Sequence, residues 1–238
     1  MAVVIDNVYQ KVLALANKEQ RGYITPQEFN LFADRAQNEI YENYFYQLSV
    51  AEQKPKNQMQ QSDSKEVIEQ KLSFFIEDTS VTETNTGSAS LSTIDHARII
   101  KIIGNQLNAN KVVERVSVRE ASYMLENPLT APTTNRPIYF FDGTTDFINI
   151  RPINGTQVNN AYWVFHYVPP HAPNWGYVVV NEKALYNAPT STNFELHVSE
   201  EENLVNKILI LAGITIQKPD LQQAGAGQMQ ITQQQQNS

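Results

Sequence analysis

Residues 24–45 of the chain read ITPQEFNLFADRAQNEIYENYF, and the expected fold grows outward from them. Thr25 stands where a helix N-cap is needed, Pro26 follows in the first helical position, and Glu28 can reach back to the Thr25 N–H to close a capping box. Ile24 and Phe29 flank this start as a hydrophobic staple. Phe29, Phe32, Ala33, Ala36, Ile40 and Tyr44 then recur three and four residues apart, giving one apolar stripe opposite Asn30, Asp34, Asn38 and Glu42. Upstream, Asp6 is expected to cap a helix carrying Val8, Val12, Leu15 and Ala16 that ends before Gly22. The two helices make an αα-hairpin over residues 1–50.

Downstream, residues 51–63 (AEQKPKNQMQQSD) are polar, contain Pro55 and read as a linker. Residues 64–198 read as a β-rich insertion. After a short helix from Ser64 through Leu72, β-branched and aromatic residues cluster at Phe74–Ile76, Ser88–Ser92, Ile99–Ile103, Lys111–Val116, Ile138–Phe141, Phe147–Arg151 and Tyr162–Val168. Gly104-Asn105, Asp142-Gly143 and Asn154-Gly155 supply turn chemistry between them. Ser117 and Glu120 form a second capping box, so Val118–Leu125 is expected to be helical. Ser199 is expected to cap a last helix over residues 199–213, with Glu200, Glu201 and Glu202 in its first turn and Leu204, Val205, Ile208, Leu211 and Ala212 on its apolar face. Gly213 ends it. The expected class is therefore α+β: a helical bundle formed by the N- and C-terminal helices, a β-rich insertion between them, and an extended C-terminal tail over residues 214–238.

Composition narrows the function. The 238 residues carry 18 Lys+Arg against 25 Asp+Glu, a net charge of −7, and no Cys. The absence of Cys excludes disulfides, thiolate nucleophiles and Cys-ligated metal. Scattered basic residues give no patch able to release counterions from phosphates, which argues against tight nucleic-acid binding. Gln and Asn make up about 18% of the chain, well above ordinary usage. The start MAVVIDNVYQ lacks the basic and long apolar regions of a signal peptide. The longest apolar run, Ile208–Ile216, is too short for a bilayer.

A search for chemistry finds little. His96, His166, His171 and His197 stand in no metal-binding frame and read as loop or strand residues. Asp142 and Asp146 bracket the turn FDGTTDF, a spacing that turn chemistry alone selects, though a carboxylate-pair hydrolase is the corresponding catalytic reading. No nucleophile elbow, Walker A loop or dinucleotide fingerprint is present. The expectation is a non-enzyme without catalytic residues, metal or cofactor.

Two stretches suggest contact surfaces. YWVFHYVPPHAPNWGY, Tyr162–Tyr177, crowds aromatic residues and prolines. Trp163 alternates with Phe165 and Tyr167, so one face of that strand belongs to a core, while Trp175 and Tyr177, beyond the prolines, are the interface candidates. The tail from Lys218 (KPDLQQAGAGQMQITQQQQNS) has the composition of a disordered segment, but its isolated apolar residues could anchor it in a partner's groove.

The opening IDNVYQKVLALANKEQRGYITPQEFNLFADRAQNEIYENYF and the later TNFELHVSEEENLVNKILILAGITIQKPDLQQ, with REASYMLENPLTAPTTNRPIYFF and WGYVVVNEKALYNAPTSTNFELH between them, resemble the head–tail connector (adaptor or neck-ring) proteins of short-tailed bacteriophages, crAss-like phages included. The likeness covers Ile5 to Gln223. It implies a virion structural protein forming a ring with itself, twelve copies in the usual case, beneath the portal protein and above the next tail or neck ring. DNA would pass through the channel without tight binding. By the same likeness the tail docks on the portal, with Ile214, Ile216, Leu221, Met229 and Ile231 as its anchors, and Trp175 and Tyr177 belong to a tail-side interface. The alternative is a β-rich virion module for receptor or glycan contact, using Tyr162–Tyr177.

Overall fold

The computed structural model describes residues 2–18, 24–53, 59–84, 86–91, 98–104, 111–141, 143, 147–153 and 161–215. The chain divides into two compact units, one built from residues 1–74 and 170–238, the other from Phe75–Pro169.

In the first unit the capping box at Thr25 forms as expected. The Glu28 N–H donates to Thr25 Oγ1 at 3.3 Å and the Thr25 N–H donates to Glu28 Oε2 at 3.0 Å. The Thr25 N–H and hydroxyl, both donating to Glu28 Oε2, hold the Glu28 carboxyl below its ordinary range. The box starts α2 (Pro26–Gln53), whose stripe residues Phe29, Ala33, Ala36, Ile40 and Tyr44 are all buried. The preceding helix α1 (Ile5–Lys18) begins one residue before Asp6. Its first amide is satisfied from far along the chain, the Ile5 N–H donating to Asn193 Oδ1 at 3.1 Å. Asp6 is thus not the N-cap.

A third helix, α3 (Met59–Ser73), takes up much of the expected linker. Pro55 lies outside the described residues, and the stretch 59–63 proved compatible with helix because Met59, Gln60 and Gln61 are good helix formers. The last helix of the described residues is Glu201–Thr215. It is entered through a 3₁₀ turn, Val198–Glu200, capped by His197 rather than Ser199: the Ser199 N–H donates to His197 Nδ1 at 3.2 Å. Gly213 does not end it, since the backbone remains helical to Thr215.

The second unit is organised around one sheet. Its strands are β1 (Ile76–Thr82), β2 (Ser88–Ser90), β3 (Arg98–Gly104), β4 (Val112–Arg115), β5 (Ile138–Phe141), β6 (Phe147–Arg151) and β7 (Ala161–Tyr167), in spatial order β1-β7-β3-β4-β5-β6-β2. A bridge between Glu83 and Ala89 joins the two ends of that order, so the sheet is nearly closed. The turn between them needs Gly87, at φ 78°, where a side chain would be strained and would collide with Arg151. The closed face packs Val81, Ala89, Leu91, Ile102, Val113, Tyr139, Ile148, Ile150, Tyr162 and Val164 into one core.

All pairings are antiparallel except β4 with β5, which run parallel. A parallel pair cannot be joined by a tight turn. Here the crossover carries α4 (Val118–Glu126), started by the expected Ser117–Glu120 capping box. Ala121 on this helix buries against Ile138 and Phe140.

The expectation of a helical bundle with an inserted β region is therefore corrected. The protein is mixed α/β; a large, nearly closed seven-stranded sheet dominates its core, and the described residues hold five helices, the last of them α5 (Glu201–Thr215). Helix faces alone do not complete the first unit either. Trp175, Phe194 and Leu196, from a long non-helical return, are buried there, and the Val3 N–H donates to the Leu196 carbonyl at 3.3 Å. The β-rich unit, Phe75–Pro169, is also shorter than the expected insertion of residues 64–198, because 170–197 belongs with the helices. No helix among the described residues is long and apolar enough to cross a membrane.

Candidate functional site

The return from Pro170 to Val198 contains a hairpin that the sequence reading did not anticipate. Strands β8 (Tyr177–Val180) and β9 (Lys183–Tyr186) pair as Tyr177–Tyr186, Val178–Leu185, Val179–Ala184 and Val180–Lys183. Asn181 and Glu182 make the two-residue connection, both at positive φ (50° and 64°), as a type I′ turn requires. Such turns favour glycine, so Asn-Glu gave little signal; the one available cue was the β-branched run YVVV before an Asn.

The base of the hairpin is fixed by Trp175. This side chain is 2% exposed, against the expectation of an exposed contact residue. Its ring lies 4.2 Å from the Tyr9 ring centroid and stacks on Tyr177 at 5.9 Å and 21°, with Tyr186 at 5.8 Å. Tyr9 in turn meets Phe29 edge-on at 4.7 Å. The indole Nε1–H donates to Asp6 Oδ1 at 2.9 Å, which explains why Asp6 is not free to cap its helix. The backbone is pinned as well: the Trp175 N–H donates to Asn30 Oδ1 at 2.8 Å and the Gly176 N–H to Ser191 Oγ at 3.0 Å. Gly176 is required by close approach, since a Cβ there would collide with Thr190. Buried aromatic area with every polar tip paired makes a rigid root.

Beyond the root the hairpin is apolar and open. Val178, Val179, Val180 and Leu185 are between 46% and 61% exposed. Opposed residues share a face, so Val178 and Leu185 lie on one side and Val179 and Ala184 on the other. Both strands are edges of a two-stranded sheet. A pair of strands with two uncovered apolar faces and unpaired edges is marginal by itself and is the kind of surface that protein contacts cover. Tyr177, the other interface candidate, is half-buried at the root, with its ring against Trp175.

A buried ion pair lies in the same unit. Lys71 Nζ and Glu200 Oε1 are 2.6 Å apart, with Glu200 4% exposed, and Asn203 Nδ2 donates to Glu200 Oε2 at 2.9 Å. Burial works against the Glu200 charge, but the Asn203 and Lys71 hydrogen bonds and the Lys71 ammonium outweigh it and hold the carboxyl below its ordinary range. Lys71 also sits 5.7 Å over the Tyr44 ring, whose phenol is pushed up by burial and by the Glu200 charge. This arrangement ties α3 to the start of the last helix.

The remaining candidates disperse. His166 is buried on β7, with Nδ1 3.3 Å from the Val164 carbonyl oxygen; His171 pairs with Glu195 at 2.9 Å; His197 is a cap. His96, Asp142 and Asp146 lie outside the described residues, as do Ile216, Leu221, Met229 and Ile231 of the expected docking tail. Ile214 falls in the last turn of α5, where its backbone alone is described. No three His, Asp or Glu side chains gather as a metal site among the described residues. Compared with models of known protein families and with curated proteins, the sequence matches none.

Proposed function

We propose that this chain is a non-enzymatic structural component of a tailed-phage virion, a ring in the head–tail channel whose copies contact one another through the β8–β9 hairpin. The observation that carries the reading is the contrast within that hairpin: a packed, hydrogen-bonded root around Trp175, and apolar strand residues, Val178, Val179, Val180 and Leu185, left open to solvent. A rigid, preformed apolar element loses little entropy on association. The resemblance of Ile5–Gln223 to head–tail connectors supplies the biological setting, and the net charge of −7 suits a channel that DNA traverses without adhering. In this reading the portal protein, a further neck or tail ring, and other copies of the chain are the partners, and segment 214–238 engages the portal.

The experiment is the oligomeric state of the full chain by sedimentation velocity and negative-stain electron microscopy, alone and with Val179→Asp. Rings or ring-sized oligomers are expected for the native chain. The variant is expected to stay folded, since Val179 is 61% exposed, and to be monomeric. A native chain that remains monomeric at high concentration and is absent from virions overturns the reading; assembly unaffected by Val179→Asp removes the hairpin from it.

A further inference from the structure

The outer face of the seven-stranded sheet carries an aromatic row that the ring reading does not use. Along β7, Tyr162, Val164 and His166 point into the core. By alternation Trp163, Phe165 and Tyr167 point outward, about 7 Å from one to the next. Trp163 is 37% exposed and the other two are half-buried.

The strands on either side equip this row with charge. On β1, Asp78 is opposite Phe165 and Ser80 opposite Trp163. On β3, Lys101 is opposite Phe165 and Arg98 opposite Tyr167. The pairing of β3 with β7 slips by one residue between Ile99 and Lys101. Ile99 still packs on the core, Ile100 becomes the extra residue, and Lys101 instead of an isoleucine faces Phe165. Its Nζ lies 4.7 Å above the ring centroid. A bulge that turns a cation onto an aromatic platform is a common way for a sheet to aim a binding side chain.

We propose that this face, centred on Trp163, Phe165 and Lys101, binds an acidic oligosaccharide. The C–H faces of pyranose rings pack on the electron-rich faces of aromatic side chains. Asp78 and Ser80 accept and donate to sugar hydroxyls. The Lys101 ammonium, held over the Phe165 ring, complements the carboxylate of a uronate or similar sugar. A single-stranded nucleic acid would also stack on such a row. However, a phosphodiester backbone offers no hydroxyl donors for the Asp78 carboxylate to accept from, whereas every sugar ring does. Lys101, Asp78 and Ser80, set among the rings beside Ile76 and Ile103, distinguish this mixed face from the apolar hairpin. This inference goes beyond the ring reading and stands without it.

Trp163 lies on this face, and the part of the intrinsic fluorescence that is lost in Trp163→Phe reports on it. Purified full-length protein would be titrated with oligogalacturonate, with neutral cello-oligosaccharide and with oligo-dT, with calorimetry as an independent readout. Oligogalacturonate is expected to quench Trp163 and to bind more tightly than the other two. Trp163→Ala should weaken binding about tenfold, the loss expected for one stacking contact. Lys101→Gln, an exposed change compatible with folding, should weaken oligogalacturonate binding and leave the neutral saccharide unaffected. Circular dichroism would confirm that both variants are folded; should Trp163→Ala fail to fold, Lys101→Gln alone decides. Absence of saccharide binding, equal binding of the neutral chain, preference for oligo-dT, or unchanged affinity in the folded variants would each overturn the proposal.

Discussion

The two tryptophans sit twelve residues apart and have opposite fates. Trp163 lies in the middle of a regular strand, where an aromatic residue is expected to be core, and is 37% exposed. Trp175 lies in a proline-flanked, irregular stretch, where exposure is expected, and is 2% exposed. Strand alternation offers two faces and does not say which is inward; neighbours on β1 and β3 decide that. Irregular backbone, conversely, can bury a large ring completely when its polar groups find partners, as the Trp175 amide does with Asn30 and its indole with Asp6. Regular structure and burial are separate properties in this molecule.

The largest expected effect follows from removing the buried ring. Trp175→Ala should cost about 3–5 kcal/mol in urea unfolding, the range for deleting a large aromatic side chain from a core. It should also loosen the hairpin, measured as faster amide exchange across Tyr177–Tyr186. A cost below about 1 kcal/mol would erase the contrast between the two tryptophans.

A smaller effect tests whether the two units respond alike to acid. Lys71→Met leaves the Glu200 carboxylate buried without the Lys71 ammonium and should cost about 2–3 kcal/mol, somewhat under the range for a fully buried pair, because the Lys71 side chain is 20% exposed. In the native protein the Glu200 carboxyl is held below its unfolded value near 4.5. Its stabilisation is therefore complete above that pH and is lost as pH falls from about 4.5 through the lower folded value. Single-tryptophan variants, Trp163→Phe and Trp175→Phe, separate the units: the cost of Lys71→Met reported by Trp175 should be full above about pH 4.5 and shrink as pH falls below it, while stability reported by Trp163 should not change.

The smallest effect is at the outward ring. Trp163→Ala should change stability by less than about 1 kcal/mol, as for other partly exposed positions away from a core. A loss as large as that at Trp175 would mean that Trp163 belongs to the fold and not to a binding face.

Much of the local structure was legible in the sequence. Both capping boxes form, and five of the strands begin and end within one residue of the expected segments, because these signals are interactions between residues a few positions apart. The segment at Phe74–Ile76 marked only the start of β1, and the hairpin at Tyr177–Tyr186 gave no glycine to betray its turn. The Asp6 and Ser199 caps failed because residues far away in the chain, or a competing histidine next door, took over their task.

The sequence by itself determined where helices and strands nucleate, the want of thiol chemistry and the acidic balance. Tertiary structure alone decided that the strands close around one another into the dominant core, that β4 and β5 run parallel, that Trp175 is inside and Trp163 outside, and that a valine-rich hairpin is left uncovered. The physical reason is range. Capping and periodicity are energies between near neighbours, whereas burial depends on which distant groups arrive to cover a side chain and satisfy its polar atoms.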